Sequence, residues 1–168
     1  MIQNILSDRR RDAIRLLQFL VHLKRPLKLA EAKEAIAIQL EHEPRFDVKR
    51  RPFHETYVLG YCPGLVTVVH ATDEELHLAH FSVKEYLLKD HQFNIPTTSI
   101  SITRTCLTYL TDINGDYEEI KRDFPMARYT AEVWANHATL AQESEDIIRA
   151  TISFLEKEPT FQRWARLY

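Results

Sequence analysis

Between Leu65 and Asp90 the chain reads LVTVVHATDEELHLAHFSVKEYLLKD, a stretch that leaves little freedom in local structure. Two apolar runs, Leu65–His70 and Leu76–Phe81, flank the polar Ala71–Glu75, which predicts a β-hairpin with a longer loop. Ser82 followed by Glu85 has capping-box spacing, and Phe81 and Tyr86 occupy the hydrophobic-staple positions around it. A helix is therefore expected to start at Ser82, with Tyr86 and Leu87 in the core. Alternation in the second strand puts Leu76, Leu78 and His80 on one face, and His77, Ala79 and Phe81 on the other. His80 is thus expected on a leucine-bearing strand face, immediately before a capped helix. With Ser82 as the cap, Ser82→Ala should cost roughly 0.5–2 kcal/mol.

Upstream, Ala13, Leu16, Leu17, Leu20 and Val21 recur at helical spacing between Asp8 and Lys24, opposite a polar face of Arg11, Arg15, Gln18 and His22. Pro26 stops that helix. A second helix is expected over Leu29–Leu40, with Glu31 favourably placed in its first turn. Glu41–Pro52 reads as a basic loop carrying Arg45, Lys49, Arg50 and Arg51, and Phe53–Tyr61 as a short helix ended by Cys62-Pro63-Gly64. Helix, helix, short helix, two-stranded wing and helix is the winged-helix order.

After Asp90 the pattern is helical throughout. Helices are expected from Pro96 to about Thr111, over Glu118–Asp123, from Pro125 through Trp134 and His137, and after Ser144. A last helix follows Pro159 and carries Phe161, Trp164, Leu167 and Tyr168 on one face. Those four must fold back on the preceding helix or be covered by something further. Trp134 and His137, one turn apart, are read as interhelix packing. The expected architecture is mainly α: a winged-helix domain over 1–92 (three helices plus a β-hairpin wing), then a small helical bundle over 93–168.

Composition removes several function classes. Among 168 residues only three are glycine, at positions 60, 64 and 115, so a glycine-rich phosphate loop has nothing to be built from. The net charge of −2 gives no general pull toward nucleic acid or acidic membranes. No apolar run reaches membrane-spanning length, the charged start is not a secretory signal, and the two distant cysteines suit a reducing compartment. A cytoplasmic location is expected. Eight histidines invite a metal reading, but His77 and His80 face opposite sides of a strand, and a five-residue loop would leave His80 some 13 Å from His70, at about 3.3 Å per residue. No metal site is expected, and no nucleophile motif is present, so no enzyme is expected either. Nucleic acid is the second reading, resting on Arg45–Arg51 and the wing. The helix that would enter a groove offers only His54, Glu55 and Thr56 to base edges.

Four blocks then occur in a specific order: RDAIRLLQFLVHLKRPLKLAEA (Arg11–Ala32), GYCPGLVTVVHATDEELHLAHFSVKEYLL (Gly60–Leu88), SITRTCLTYL (Ser101–Leu110) and FPMARYTAEVWANHA (Phe124–Ala138). Together they resemble the segment between the NACHT nucleotide-binding domain and the ankyrin repeats of fungal NOD-like receptors, members of the STAND class of signalling ATPases. The winged-helix part resembles the type named after GPI inositol-deacylase, a label for a shared domain and not for deacylase activity. The resemblance implies a non-catalytic module that passes nucleotide state between a NACHT ATPase and a repeat sensor, in cis or in trans. It also implies that the histidine of the motif His80-Phe81-Ser82-Val83-Lys84-Glu85-Tyr86-Leu87 reaches the nucleotide phosphates. With no G-x-x-x-x-G-K-[ST] sequence in the chain, ADP or ATP is expected only through a partner NACHT domain.

Overall fold

The computed structural model describes every residue except Met1, Leu23 and Ala71. Leu23, in the first expected helix, and Ala71, which opens the expected hairpin loop, lie outside the described residues. The α-helices are α1 (Arg10–His22), α2 (Leu29–Ala37), α3 (Glu55–Leu59), α4 (Phe81–Leu87), α5 (Ile95–Asp112), α6 (Tyr117–Asp123), α7 (Ala127–Leu140), α8 (Glu145–Glu156) and α9 (Glu158–Leu167). Three short strands, β1 (Leu27–Lys28), β2 (Val66–His70) and β3 (Glu74–Leu78), form an antiparallel sheet in the order β1-β3-β2. The protein is mainly helical with a small sheet, as a winged-helix domain requires.

The wing departs from expectation in register. β3 begins at Glu74, so His70 pairs with Glu74 and Val68 with Leu76, and the strand ends at Leu78 before reaching His80. The reason lies across the strands. Glu75 gains Lys28 of β1 as its pairing partner, Leu76 lies opposite Leu27, and His77 bonds Glu75 at 2.9 Å. Those partners draw two acidic residues, poor strand formers alone, into the ladder. β1 itself is too short to show in sequence. Leu76 is fully buried in the central strand, and its orientation toward the core is as the alternation expects.

Polar positions on α1 break the amphipathic reading. Arg15 and Gln18, expected on an open face, are buried. Arg15 pairs with Asp12 at 2.7 Å and donates to the Ile38 carbonyl, and Gln18 donates to the Gln92 carbonyl at 2.7 Å. Helix α1 is thus covered on its polar side as well, because its polar side chains satisfy carbonyls at the ends of other elements. His22 similarly meets the Phe93 carbonyl. The expected 92/93 boundary falls in the 3-10 turn His91–Phe93, where Phe93 is fully buried.

One cluster of buried apolar side chains runs from Ile2 to Leu167. Where α2, the 45–51 loop and α5 meet, Glu34 is buried and forms an ion pair with Arg51. The same carboxylate accepts the Tyr109 hydroxyl at 2.6 Å. Arg51 lies against the Phe46 and Phe124 rings and donates to the Asp123 carbonyl at 2.8 Å. Towards the C-terminal end, Trp164 packs edge-on to Trp134 at 5.5 Å, and its indole N–H donates to the Ala131 carbonyl at 3.0 Å. The apolar face of α9 therefore folds back in part: Leu167 is buried, while Phe161 and Tyr168 stay exposed. Both cysteines are free and buried, and burial pushes the Cys62 thiol up to about 12.

Candidate functional site

The loop between β3 and α4 sets the site. Strand pairing ends at Leu78, but the Ala79 amide still bonds the Leu65 carbonyl at 2.9 Å, and His80 remains extended (φ −154°, ψ 152°). The chain then turns into α4, whose first amides have no partner within the helix. His80 satisfies one of them: its Nδ1 accepts the Ser82 amide N–H at 3.2 Å and lies 2.9 Å from the Ser82 hydroxyl. His80 is therefore the N-cap of α4, a correction to the expected Ser82–Glu85 capping box. The helix starts two residues early, at Phe81, so Ser82 falls inside its first turn, where its side chain cannot reach forward as a cap. Glu85 is exposed and makes no cap bond.

The staple is corrected as well. Phe81 is 70 % exposed and Tyr86 40 % exposed, whereas Val83 and Leu87 are buried. With the helix shifted, positions 83 and 87 face the core and position 86 turns outward. His80 is exposed too, so it is neither a strand residue nor a core histidine.

His80, Phe81 and Lys84 line a shallow groove with Leu20 of α1, Lys24, Arg25 and Pro26 of the connection to β1, and Leu76, His77 and Leu78 from β3. Its positive groups are not equivalent. Arg25 is held by Glu31 through bonds of 2.9 and 2.6 Å and stacks over the Tyr129 ring at 4.1 Å. The Glu31 hydrogen bond outweighs desolvation and raises the Arg25 pKa. His77 is occupied by Glu75. Among the described residues, Lys24 and Lys84 have no carboxylate partner, which leaves them with His80 as the groove's uncommitted donors. Sequence reasoning singled out His80 but not the two lysines, since Lys24 is remote in sequence.

Two other assemblies bear on function. Glu55, His70 and Glu74 cluster beside the hairpin, with His70 Nδ1 3.4 Å from Glu74 and Nε2 3.8 Å from Glu55. One ligand atom from each, a ring nitrogen of His70 and a carboxylate oxygen of each glutamate, lies within 4.8 Å of the others, so this corner of the hairpin brings together a possible metal-ligand trio that the sequence spacing did not show. Two of the four basic residues of the loop are turned inward, while Arg45 and Lys49 stay exposed. Arg50 donates to the carbonyls of Ala37, Pro44 and Arg45, and Arg51 is committed to Glu34. No helix among the described residues is long and apolar enough to cross a membrane.

A family model described as "GPI inositol-deacylase, winged helix domain" matches residues 2–96. The chain is also 30% identical over 177 aligned positions to "Azaphilone pigments biosynthesis cluster protein L" of Monascus ruber. That alignment covers 94% of this chain but 37% of the relative, so the chain spans little more than a third of that protein. No solved structure matches.

Proposed function

We propose, from the premise that this chain belongs to the family of GPI inositol-deacylase winged helix domains, that it is a non-catalytic regulatory module. In this reading it couples the nucleotide state of a NACHT ATPase domain to a repeat sensor of ankyrin type, joined in cis or in trans, in the cytoplasm. The observation that carries it is His80. An exposed imidazole in the His80–Leu87 motif, fixed at one nitrogen, lines a groove shared with Lys24 and Lys84, which have no carboxylate partner among the described residues. Donors so placed suit the phosphates of a nucleotide held by a neighbouring domain, where the contact is charge-assisted. A contact made to one nucleotide state and lost in the other biases two arrangements of the domains. Nucleic acid is less well supported, because Arg50 and Arg51 are already spent on carbonyls and on Glu34.

The direct test titrates the purified chain into a fungal NACHT nucleotide-binding domain stripped of its own winged helix. Binding should be tighter to the ADP-loaded domain than to the ATP-loaded one, and His80→Ala should abolish the difference. ADP alone should bind the chain no more tightly than the millimolar range, since three side chains do not replace a phosphate loop. Equal affinity for both nucleotide states would refute the coupling. Micromolar affinity for duplex DNA, falling steeply with salt, would favour the nucleic-acid reading.

A further inference from the structure

We infer that His80 divides its two ring nitrogens between two tasks, and that Ser82 is the positioning residue that enforces the division. The inference rests on the proposed phosphate contact for its ligand, but its first half stands on local geometry alone. A backbone amide can only donate, and the Ser82 amide is directed at His80 Nδ1 at 3.2 Å. Nδ1 must therefore present its lone pair. A neutral imidazole carries a single proton, so that proton sits on Nε2. The Ser82 hydroxyl, 2.9 Å from the same nitrogen, then acts as a second donor to it. Two donors on one nitrogen hold both the tautomer and the ring plane.

The consequence lies on the other edge of the ring. Among the described residues Nε2 has no hydrogen-bond partner, and the ring lines the groove that also holds Lys24 and Lys84. The edge available to an incoming group is thus an N–H donor, in a groove lined also by two lysines that have no carboxylate partner among the described residues. That combination fits a phosphoryl oxygen: a fixed directional donor plus mobile positive charge. The opposite tautomer would turn a lone pair toward the anion and repel it. Ser82 accordingly acts on the phosphate through His80, without touching it.

Amide side chains separate the two tasks. Asn at position 80 places an acceptor near Nδ1 and caps a helix well, but has no group at Nε2. Gln reaches the Nε2 position with a donor and gives up the cap. The experiment is long-range proton–nitrogen NMR on the labelled chain at a pH where His80 is neutral, with inorganic pyrophosphate as the probe. His80 should show a protonated Nε2 and an unprotonated Nδ1, and pyrophosphate should shift Nε2 in wild type. His80→Asn should keep the melting temperature and lose the pyrophosphate response of neighbouring Lys84. His80→Gln should melt lower and keep part of that response. Ser82→Ala keeps the amide that Nδ1 accepts, so it should leave the fold intact and Nδ1 unprotonated while losing the second donor. A protonated Nδ1 in wild type overturns the inference while leaving the nucleotide-dependent docking test of the proposed function free to succeed. The expected tautomer with an Nε2 signal unmoved by pyrophosphate overturns its ligand half. Loss of nucleotide-dependent docking with the NMR result intact would instead count against the proposed function alone.

Discussion

The Glu34 junction and the His80 corner are both polar, and they are built on opposite terms. At the junction, Glu34 is buried and takes both Arg51 and the Tyr109 hydroxyl, while Arg51 also reaches the Asp123 carbonyl. At the corner, His80 and Ser82 stand in solvent and commit one ring nitrogen between them. A polar group in the interior must be paired, because an orphan there loses its hydration with no return. The two partners held by the one buried carboxylate therefore mark the junction as architecture. Water satisfies an exposed group at little cost, so only the corner can hold a donor in reserve for an outside ligand. Polar residues alone do not indicate a site; uncommitted ones do.

The largest effect should come from breaking the junction. Glu34→Ala strands the Arg51 guanidinium and leaves the Tyr109 hydroxyl unpaired, and should cost about 3–5 kcal/mol in urea unfolding. A loss below about 1 kcal/mol would erase the contrast between the two regions. Tyr109→Phe removes only the donor and should cost about 1.5–3 kcal/mol, the range for a hydrogen bond to a charged group. It should also be non-additive with Glu34→Ala, since both act on one carboxylate.

At the corner the cap energy belongs to His80 and not to Ser82. His80→Ala deletes the cap and should cost about 0.5–1 kcal/mol, the lower part of the N-cap range. Ser82→Ala keeps the amide that His80 accepts and should cost only about a few tenths of that. Melting curves showing Ser82→Ala as the more damaging change would return the cap to Ser82.

A pH effect sharpens the same comparison. His137 is 9 % exposed, bonds Ser99 at 3.3 Å, and has its pKa lowered by burial and then by the charge of His22. The unfolded chain thus takes up that proton more readily than the folded one. Stability is complete above the ordinary value of 6.5 and declines as pH falls from there toward the depressed folded pKa. His137→Gln should flatten this acid slope in urea unfolding measured across that pH range.

Much of the winged-helix region is legible along the chain. Apolar spacing locates α1 and α2, and beyond that region Pro96 marks the start of α5. The hairpin is legible as a hairpin but not in register, because Lys28 and Leu27, which fix β3, lie some fifty residues upstream. The corner is half legible. The motif around His80 marks the residue, yet its role as cap depends on strand β3 ending three residues earlier than alternation suggests. Lys24 joins the site through the packing of α1 against β3, which no local pattern encodes.

The sequence by itself determined the run of helices, the place of the wing and the one histidine at the mouth of α4, because periodicity and turn chemistry act over a few neighbouring residues. Tertiary structure decided which polar groups would be buried. Arg15, Gln18 and Glu34 read as surface in any local window, and each is interior because a distant partner meets it: Ile38 and Gln92 carbonyls for the first two, Tyr109 for the third, 75 positions away. The cost of burying a charge is settled only by what lies opposite, and that is a property of the packed chain.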